Sequence, residues 1–174
     1  MNYHLREYRP NDAQAVNAIV LAAFSPYRSA FSDWPAFSAG LGQLVQLAHE
    51  SEVIVAEAQG SVVGAVGYVG PGKPKRAFYP PKWPIVRLLV VEPGHQGMGI
   101  GRALTSECIQ SGRRDGAPVI ALHPSPLMDI ALPMYERMGF RLERELPAIF
   151  GVPYSLYVKR LEEETPNTSL EPTG

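Results

Sequence analysis

Three glycines at alternate positions, Gly97, Gly99 and Gly101, lie in the stretch GHQGMGIGRAL, directly after the apolar run IVRLLVV, Ile85 to Val91. An apolar run that passes into glycines and then into helical spacing reads as a strand turning tightly into a helix. The first amides of a helix have no acceptor within it, and the helix dipole places partial positive charge at that end. Such a turn can cradle an anion. Glycine lets the backbone approach the anion closely and take conformations that a side chain forbids. The loop reads as a phosphate cradle, and the fold must bring a strand and a helix together there.

The rest of the chain supplies the setting. With 174 residues, 45% of them hydrophobic, one domain with its own core is expected over residues 1–162. The last residues, 163–174, are polar and read as an unstructured tail. Sixteen basic against 17 acidic residues give a formal net charge of −1, which indicates neither nucleic acid nor an anionic membrane as partner. The N-terminal stretch lacks the apolar core of a signal peptide, and no segment nears the roughly 18 apolar residues of a membrane span. A cytoplasmic protein is expected. Histidines at 4, 49, 95 and 123 and the lone Cys108 have no metal-ligand spacing, so no metal is expected, and Cys108 reads as a packed helix residue.

Strands are predicted near Tyr3 to Tyr8, in EVIVAEA and VVGAVGYVG around a turn at Gly60, in IVRLLVV, in APVIAL, in FRLERE and in YSLYVKRL. Helical spacing marks AQAVNAIVLAAF, LGQLVQLAHE more weakly, the segment from Gly99 to about Gly112, and LMDIALPMYERM up to Gly139. Strands interleaved with helices, with hairpins at both ends, predict an α/β (α+β) fold: a mixed sheet with helices on its faces.

Two phosphate loops are excluded by spacing. A dinucleotide fingerprint needs G-x-G-x-x-G, but counted from Gly97 the last position is Arg102, and from Gly99 it is Leu104. A P-loop needs a lysine after its last glycine, and this loop has none. The spacing Gln96-x-x-Gly99-x-Gly101, after LLVVEP and before RAL, resembles instead the pyrophosphate loop of the GNAT family of N-acetyltransferases. ALPMYERMGF, Ala131 to Phe140, is similar to the family's second signature, A-x-x-x-Y-E-x-x-G-F. The resemblance spans about Tyr3 to Leu161. It implies a mostly antiparallel sheet splayed between strands 4 and 5.

It also implies acetyl-CoA as co-substrate. Backbone amides of Gly97, Met98, Gly99, Ile100, Gly101 and Arg102, with Ala103 as an extension, would hold the pyrophosphate beside Gln96. The backbone of Leu89, Val90 and Val91 would pair with the pantetheine arm. Tyr135 stands where related enzymes carry the tyrosine that protonates the departing thiolate. A phenol, protonated at pH 7, suits that role. The acceptor amine must be neutral to attack, which calls for a base. His123 stands twelve residues before Tyr135, the offset at which some N-terminal peptide acetyltransferases of the family carry a general-base glutamate. An ordinary histidine pKa near 6.5 suits it. Glu57 is the weaker candidate.

Two departures from the family pattern stand out. Met128 replaces an asparagine often found seven residues before the tyrosine, and Pro133 inside the last helix should bend its first turns. The acceptor, a small-molecule amine or a peptide end, would be met by FSPYRSAFSDWPAF, PGKPKRAFYPPKWP and PAIFGVPYS. Lys73, Lys75, Arg76 and Lys82 in the second of these read as a solvated basic loop rather than an anion site. An acetyl-CoA-binding or sensing module without catalysis is the competing class, and a homodimer is compatible with either.

Overall fold

The computed structural model describes residues 2–42, 45–46 and 48–162. Its elements, in chain order, are β1 (Tyr3–Glu7), α1 (Ala13–Phe24), α2 (Trp34–Ala39), β2 (Glu52–Ala58), β3 (Ser61–Val69), β4 (Ile85–Val91), α3 (Ile100–Arg114), β5 (Val119–Leu122), α4 (Ala131–Arg137), β6 (Arg141–Ile149) and β7 (Val152–Arg160). The seven strands form one sheet in the order β1-β2-β3-β4-β5-β7-β6. Every neighbouring pair is antiparallel except β4 and β5. This is the mixed, mostly antiparallel sheet that the sequence predicts. Among the described residues no helix is long and apolar enough to cross a membrane.

Helices cover both faces because strand alternation sends successive side chains to opposite sides. Ala65 of β3 packs with Val16, Ile19 and Val20, the buried stripe of α1. Val66 and Tyr68 pack with Ile100, Leu104 and Cys108 of α3. Gly64 allows α3 to lie directly on the sheet: a Cβ there would stand 3.1 Å from both Val90 O and Ile100 Cγ2.

The hairpin turns are built by positive φ. Gln59 and Gly60, at φ 51° and 78°, join β2 to β3 in a two-residue loop whose twist matches its strands. Phe150 and Gly151, at 47° and 77°, join β6 to β7 in the same way. Here the strands run further than expected, through Ile149 and from Val152. The register shift between Leu146 and Ile149 accommodates Pro147 on one strand and Pro153 on the other, since a bulge tolerates proline where a regular ladder does not.

Two further expectations are corrected. The last helix begins at Ala131, not Leu127, so Pro133 falls in its first turn, where a missing N–H removes no helical bond. The segment FSPYRSAFSDWPAF ends inside α2, which Asp33 caps, its carboxylate accepting from Ala36 N at 3.1 Å. The weak helix LGQLVQLAHE lies partly outside the described residues, at 43, 44 and 47, and the tail 163–174 lies wholly outside them.

The sheet opens where β4 meets β5. Among the described residues these parallel strands pair at Ile85 opposite Ala121, near the start of β4, and the rest of that edge of β4 faces a widening gap. Within the same strand Leu88 holds φ 51°. Ala65 lies opposite Val90 and Gly67 opposite Arg87, so Leu88 and Leu89 together face Val66, a β-bulge. A left-handed leucine costs about 1–2 kcal/mol. It turns the β4 backbone at the point where the sheet parts.

Candidate active site

The turn from β4 into α3 adopts the conformation that its glycines permit. Gly97 and Gly99 have φ of 80° and 82°, and Gly99 caps α3. In the first turn of α3 the amides of Gly99, Ile100, Gly101 and Arg102 have no acceptor within the helix. Ala103 is a correction: its N–H already donates to Gly99 O at 3.0 Å, the first bond of the helix, so it is not available to a ligand. From β1, the Tyr3 hydroxyl donates to Gly99 O at 3.3 Å and braces the turn from behind.

Above this turn lies a cavity of about 350 Å³. Leu89, Val90, Val91, Gln96, Gly97, Gly99, Ile100, Gly101 and Arg102 all line it, whereas the Met98 side chain packs against the core. Arg137 of α4 adds a second cation to the lining besides Arg102, and among the described residues no carboxylate lines the cavity. His95 also lines it, with Nδ1 2.6 Å from Glu92 Oε2 but off the line of a hydrogen bond.

A second cavity, of about 300 Å³, lies in the splay. The two share Phe24, Leu89, Met128, Tyr135 and Tyr154. Tyr135 therefore stands where both cavities meet. It is 5% exposed, with its ring edge-on to Phe140 at 5.7 Å. Burial, and then the neighbouring Cys108, push its phenol well above the ordinary tyrosine range. Cys108 is itself fully buried and its thiol is raised by burial, which removes it from nucleophilic chemistry.

His123 lines the second cavity only. Its Nδ1 lies 2.5 Å from the hydroxyl of Tyr79, a buried residue, and its ring is flanked by Phe78, Tyr79 and Tyr154. Burial first, and then the charges of Arg87 and Arg76, lower its pKa to about 3, far from the ordinary value expected of it. The imidazole is neutral throughout the neutral range. Glu57, the other candidate base, lines neither cavity. Arg6 donates Nε to its Oε2 at 2.6 Å and also binds Asp12 with both terminal nitrogens, at 2.8 and 2.9 Å. This ion pair holds Glu57 below the usual carboxylate range and away from the site.

The three irregular segments do converge here, through Phe24, Tyr27 and Phe31, through Arg76, and through Ile149, Phe150 and Tyr154. The basic loop divides in function. Lys75 Nζ donates to the carbonyls of Gly70, Lys73 and Pro81 at 2.7, 2.9 and 3.1 Å and so staples the loop to itself. Lys73 and Lys82 line neither cavity, whereas Arg76 reaches the second. Sequence reasoning missed Arg87, Tyr79, Tyr154 and Arg137. For Arg87 a signal existed, since it is the one charge within the apolar run of β4.

Comparison with known proteins bears on this geometry. The chain is 27% identical over 146 residues to an S-alkylcysteine N-acetyltransferase of Bacillus subtilis, an alignment covering 81% of each protein. Its fold matches that of a Salmonella typhimurium protein described as an acetyltransferase and solved with acetyl-CoA, at a TM-score of 0.66, 23% identity, and 94% and 96% coverage of the two chains. A GNAT-family acetyltransferase of Staphylococcus aureus matches at a TM-score of 0.72 and 16% identity, covering 92% of this chain and all of that one. The sequence profile of the acetyltransferase (GNAT) family itself matches residues 16–140. A glycine turn at the mouth of a parted sheet is thus found in a chain that belongs to the GNAT family, whose members are acetyltransferases with acetyl-CoA as co-substrate.

Proposed function

We propose that this chain acetylates a primary amine of a small molecule, with the transfer taking place directly between two ligands held side by side. The observation that supports this most is the meeting of two cavities at Leu89, Met128, Tyr135 and Tyr154, one of them floored by the glycine turn. The turn fits a pyrophosphate: unpaired helix amides, glycines at positive φ, and the cations Arg102 and Arg137 beside them. Gly97 to Arg102 would hold that group with Gln96 alongside. The open edge of β4, at Leu89, Val90 and Val91, would pair with the pantetheine arm. Met128 offers that arm an apolar contact in place of an amide. Bound acetyl-CoA supplies an acetyl group activated as a thioester.

The chain's own residues manage the protons. Tyr135, at the junction, holds its proton at Oη for a sulfur leaving beside it. His123 faces the amine side. The Tyr79 hydroxyl can accept from Nδ1–H or donate to Nδ1; the proposed role uses the first arrangement, which leaves the Nε2 lone pair free to accept a proton from the amine. A cavity of about 300 Å³ suits a small amine better than a folded protein's surface. The Bacillus subtilis relative is named for such a molecule, an S-alkylcysteine.

A panel of small primary amines and short peptides, followed by CoA release and by mass of the product, tests this reading. CoA release should require the amine, and the product should carry one acetyl group on nitrogen. Tight binding of acetyl-CoA without amine-dependent release would leave a binding module instead. The cradle has its own test. A Gly99→Val variant must hold a β-branched residue at φ 82° and places side-chain atoms at the turn, where a Cβ meets nothing of the protein nearer than Tyr3 Oη at 3.8 Å. Calorimetry should show acetyl-CoA affinity reduced at least about tenfold, some 1.4 kcal/mol, in a variant that remains folded by circular dichroism. Unchanged affinity removes the cradle from this role.

A further inference from the structure

The second cavity carries a charge pattern that amine acetylation does not by itself require. Arg87, half-buried on β4, and Arg76, exposed at the rim, both line it. Among the described residues no aspartate or glutamate lines the same cavity. The rest of its wall is apolar and aromatic, with Phe24, Phe37, Leu41, Ile149 and Phe150. Phe37 meets Phe24 and Phe150 edge-on at 5.6 and 6.2 Å. Two like charges brought toward one enclosed space repel each other, as Arg76 and Arg87 do. An anion bound against both lowers that repulsion.

The field of these arginines reaches into the cavity. Together they oppose the protonation of His123, after burial as the main cause, and they favour the phenolate of Tyr79 against its burial. Arg87 itself is lowered by burial and next by Arg76. An amine entering here meets the same field, which favours its neutral, nucleophilic form. A simple alkylammonium is repelled.

We infer that the acceptor is an amine bearing a carboxylate and an apolar side chain, an α-amino acid of the hydrophobic class, with Arg87 and Arg76 binding its carboxylate. Arginine's planar fork matches a carboxylate in two parallel hydrogen bonds. The aromatic residues Phe24, Phe37 and Phe150 take the apolar substituent, and the amine, one carbon from the carboxylate, is left to His123 and Tyr135, which line the same cavity. Engaging the carboxylate also weakens its hold on the neighbouring ammonium, so binding and deprotonation favour each other. This inference rests on the proposed acetyl transfer, since it assigns the acceptor's half of that site.

The test compares leucine, methionine and phenylalanine with their amides and with the corresponding amines lacking the carboxylate. The amide's amine is the less basic, so a preference for the acid cannot come from easier deprotonation. Each free amino acid should exceed its amide and its decarboxylated amine in kcat/KM by at least about tenfold. Arg87→Gln and Arg76→Gln should each shrink that ratio, chiefly through KM for the amino acid, with KM for acetyl-CoA unchanged. Because Arg76 is exposed, its variant stays informative even where Arg87→Gln does not fold. Binding of leucine and its amide to the CoA-bound protein, measured by calorimetry, gives a readout independent of turnover. Equal rates for acid and amide, equal binding of the two, or arginine variants that slow both alike overturn the inference while acetyl transfer stands. Failure to acetylate any amine, neutral ones included, overturns acetyl transfer itself. Calorimetry then still decides whether the cavity selects a carboxylate.

Discussion

A Tyr135→Phe variant should turn over acetyl-CoA and amine about 10² to 10⁴ times more slowly than the parent, with acetyl-CoA affinity close to unchanged. The substitution keeps the ring, which is packed edge-on to Phe140 in a 5% exposed site, and removes only the hydroxyl. Loss of packing therefore contributes little. Burial raises the phenol's pKa, which by itself makes it a weaker acid. But burial raises the proton affinity of any thiolate released beside it in the same direction, so transfer between the two is not opposed by desolvation as such. The raised pKa also keeps Tyr135 protonated through the alkaline range, so any basic limb of the rate profile below about pH 10 belongs to another group. The measurement is a single-turnover rate, which isolates chemistry from product release. A parental rate in the variant reduces Tyr135 to a packing residue.

The route to Tyr135 shows how much of the site sequence can carry. The glycine turn was legible because its requirement is local: positive φ at Gly97 and Gly99 is a property of single residues, and strand-to-helix passage is a property of a short window. The sheet and its helices were legible for the same reason, through period-two and helical spacing. Element ends were less so where prolines intervene. Pro147 and Pro153 cut the predicted last hairpin short because a bulge, which tolerates them, is a relation between two strands. Pro133 appeared to sit inside a helix because the helix start depends on turns at Ser125 to Ile130 that have no periodic signature. The acceptor side was the least legible. Arg87, Arg76, Tyr154 and Phe150 come from separate loops and strands, and only the assembled splay sets them around one space. Likewise nothing local to Glu57 shows that Arg6, far off in sequence and itself held by Asp12, ties up its carboxylate.

His123 is the residue whose environment most changes an expectation drawn from its type, and it should leave a mark on stability as well as on rate. Its folded pKa of about 3 lies below the ordinary value of 6.5. Above pH 6.5 the imidazole is neutral in both folded and unfolded chains, and its full contribution to stability is present. As pH falls from 6.5 toward 3 the unfolded chain binds a proton that the folded chain refuses, so stability drops by up to about 1.4 kcal/mol per pH unit, on the order of 5 kcal/mol in all. Below about 3 both states bind it and the loss ends. Asp12, Asp115 and Glu57, all held below the usual carboxylate range, add their own losses at the acidic end, so the window from pH 6.5 to 4.5 reads His123 most cleanly. A His123→Asn variant retains a hydrogen-bonding group near Tyr79 and cannot titrate. Its unfolding free energy from urea titration should therefore fall less than the parent's across that window, by about 2 to 3 kcal/mol. In activity the same residue should give no limb between pH 5 and 8, since it stays neutral there; so weak a base accepts the amine's proton only as attack on the thioester acidifies that nitrogen, and the variant, lacking this acceptor, should lose at least about tenfold in rate. A limb near pH 6.5 that vanishes in the variant, with parallel stability curves, would mean that His123 titrates as an ordinary exposed histidine and that the cavity around it is wet.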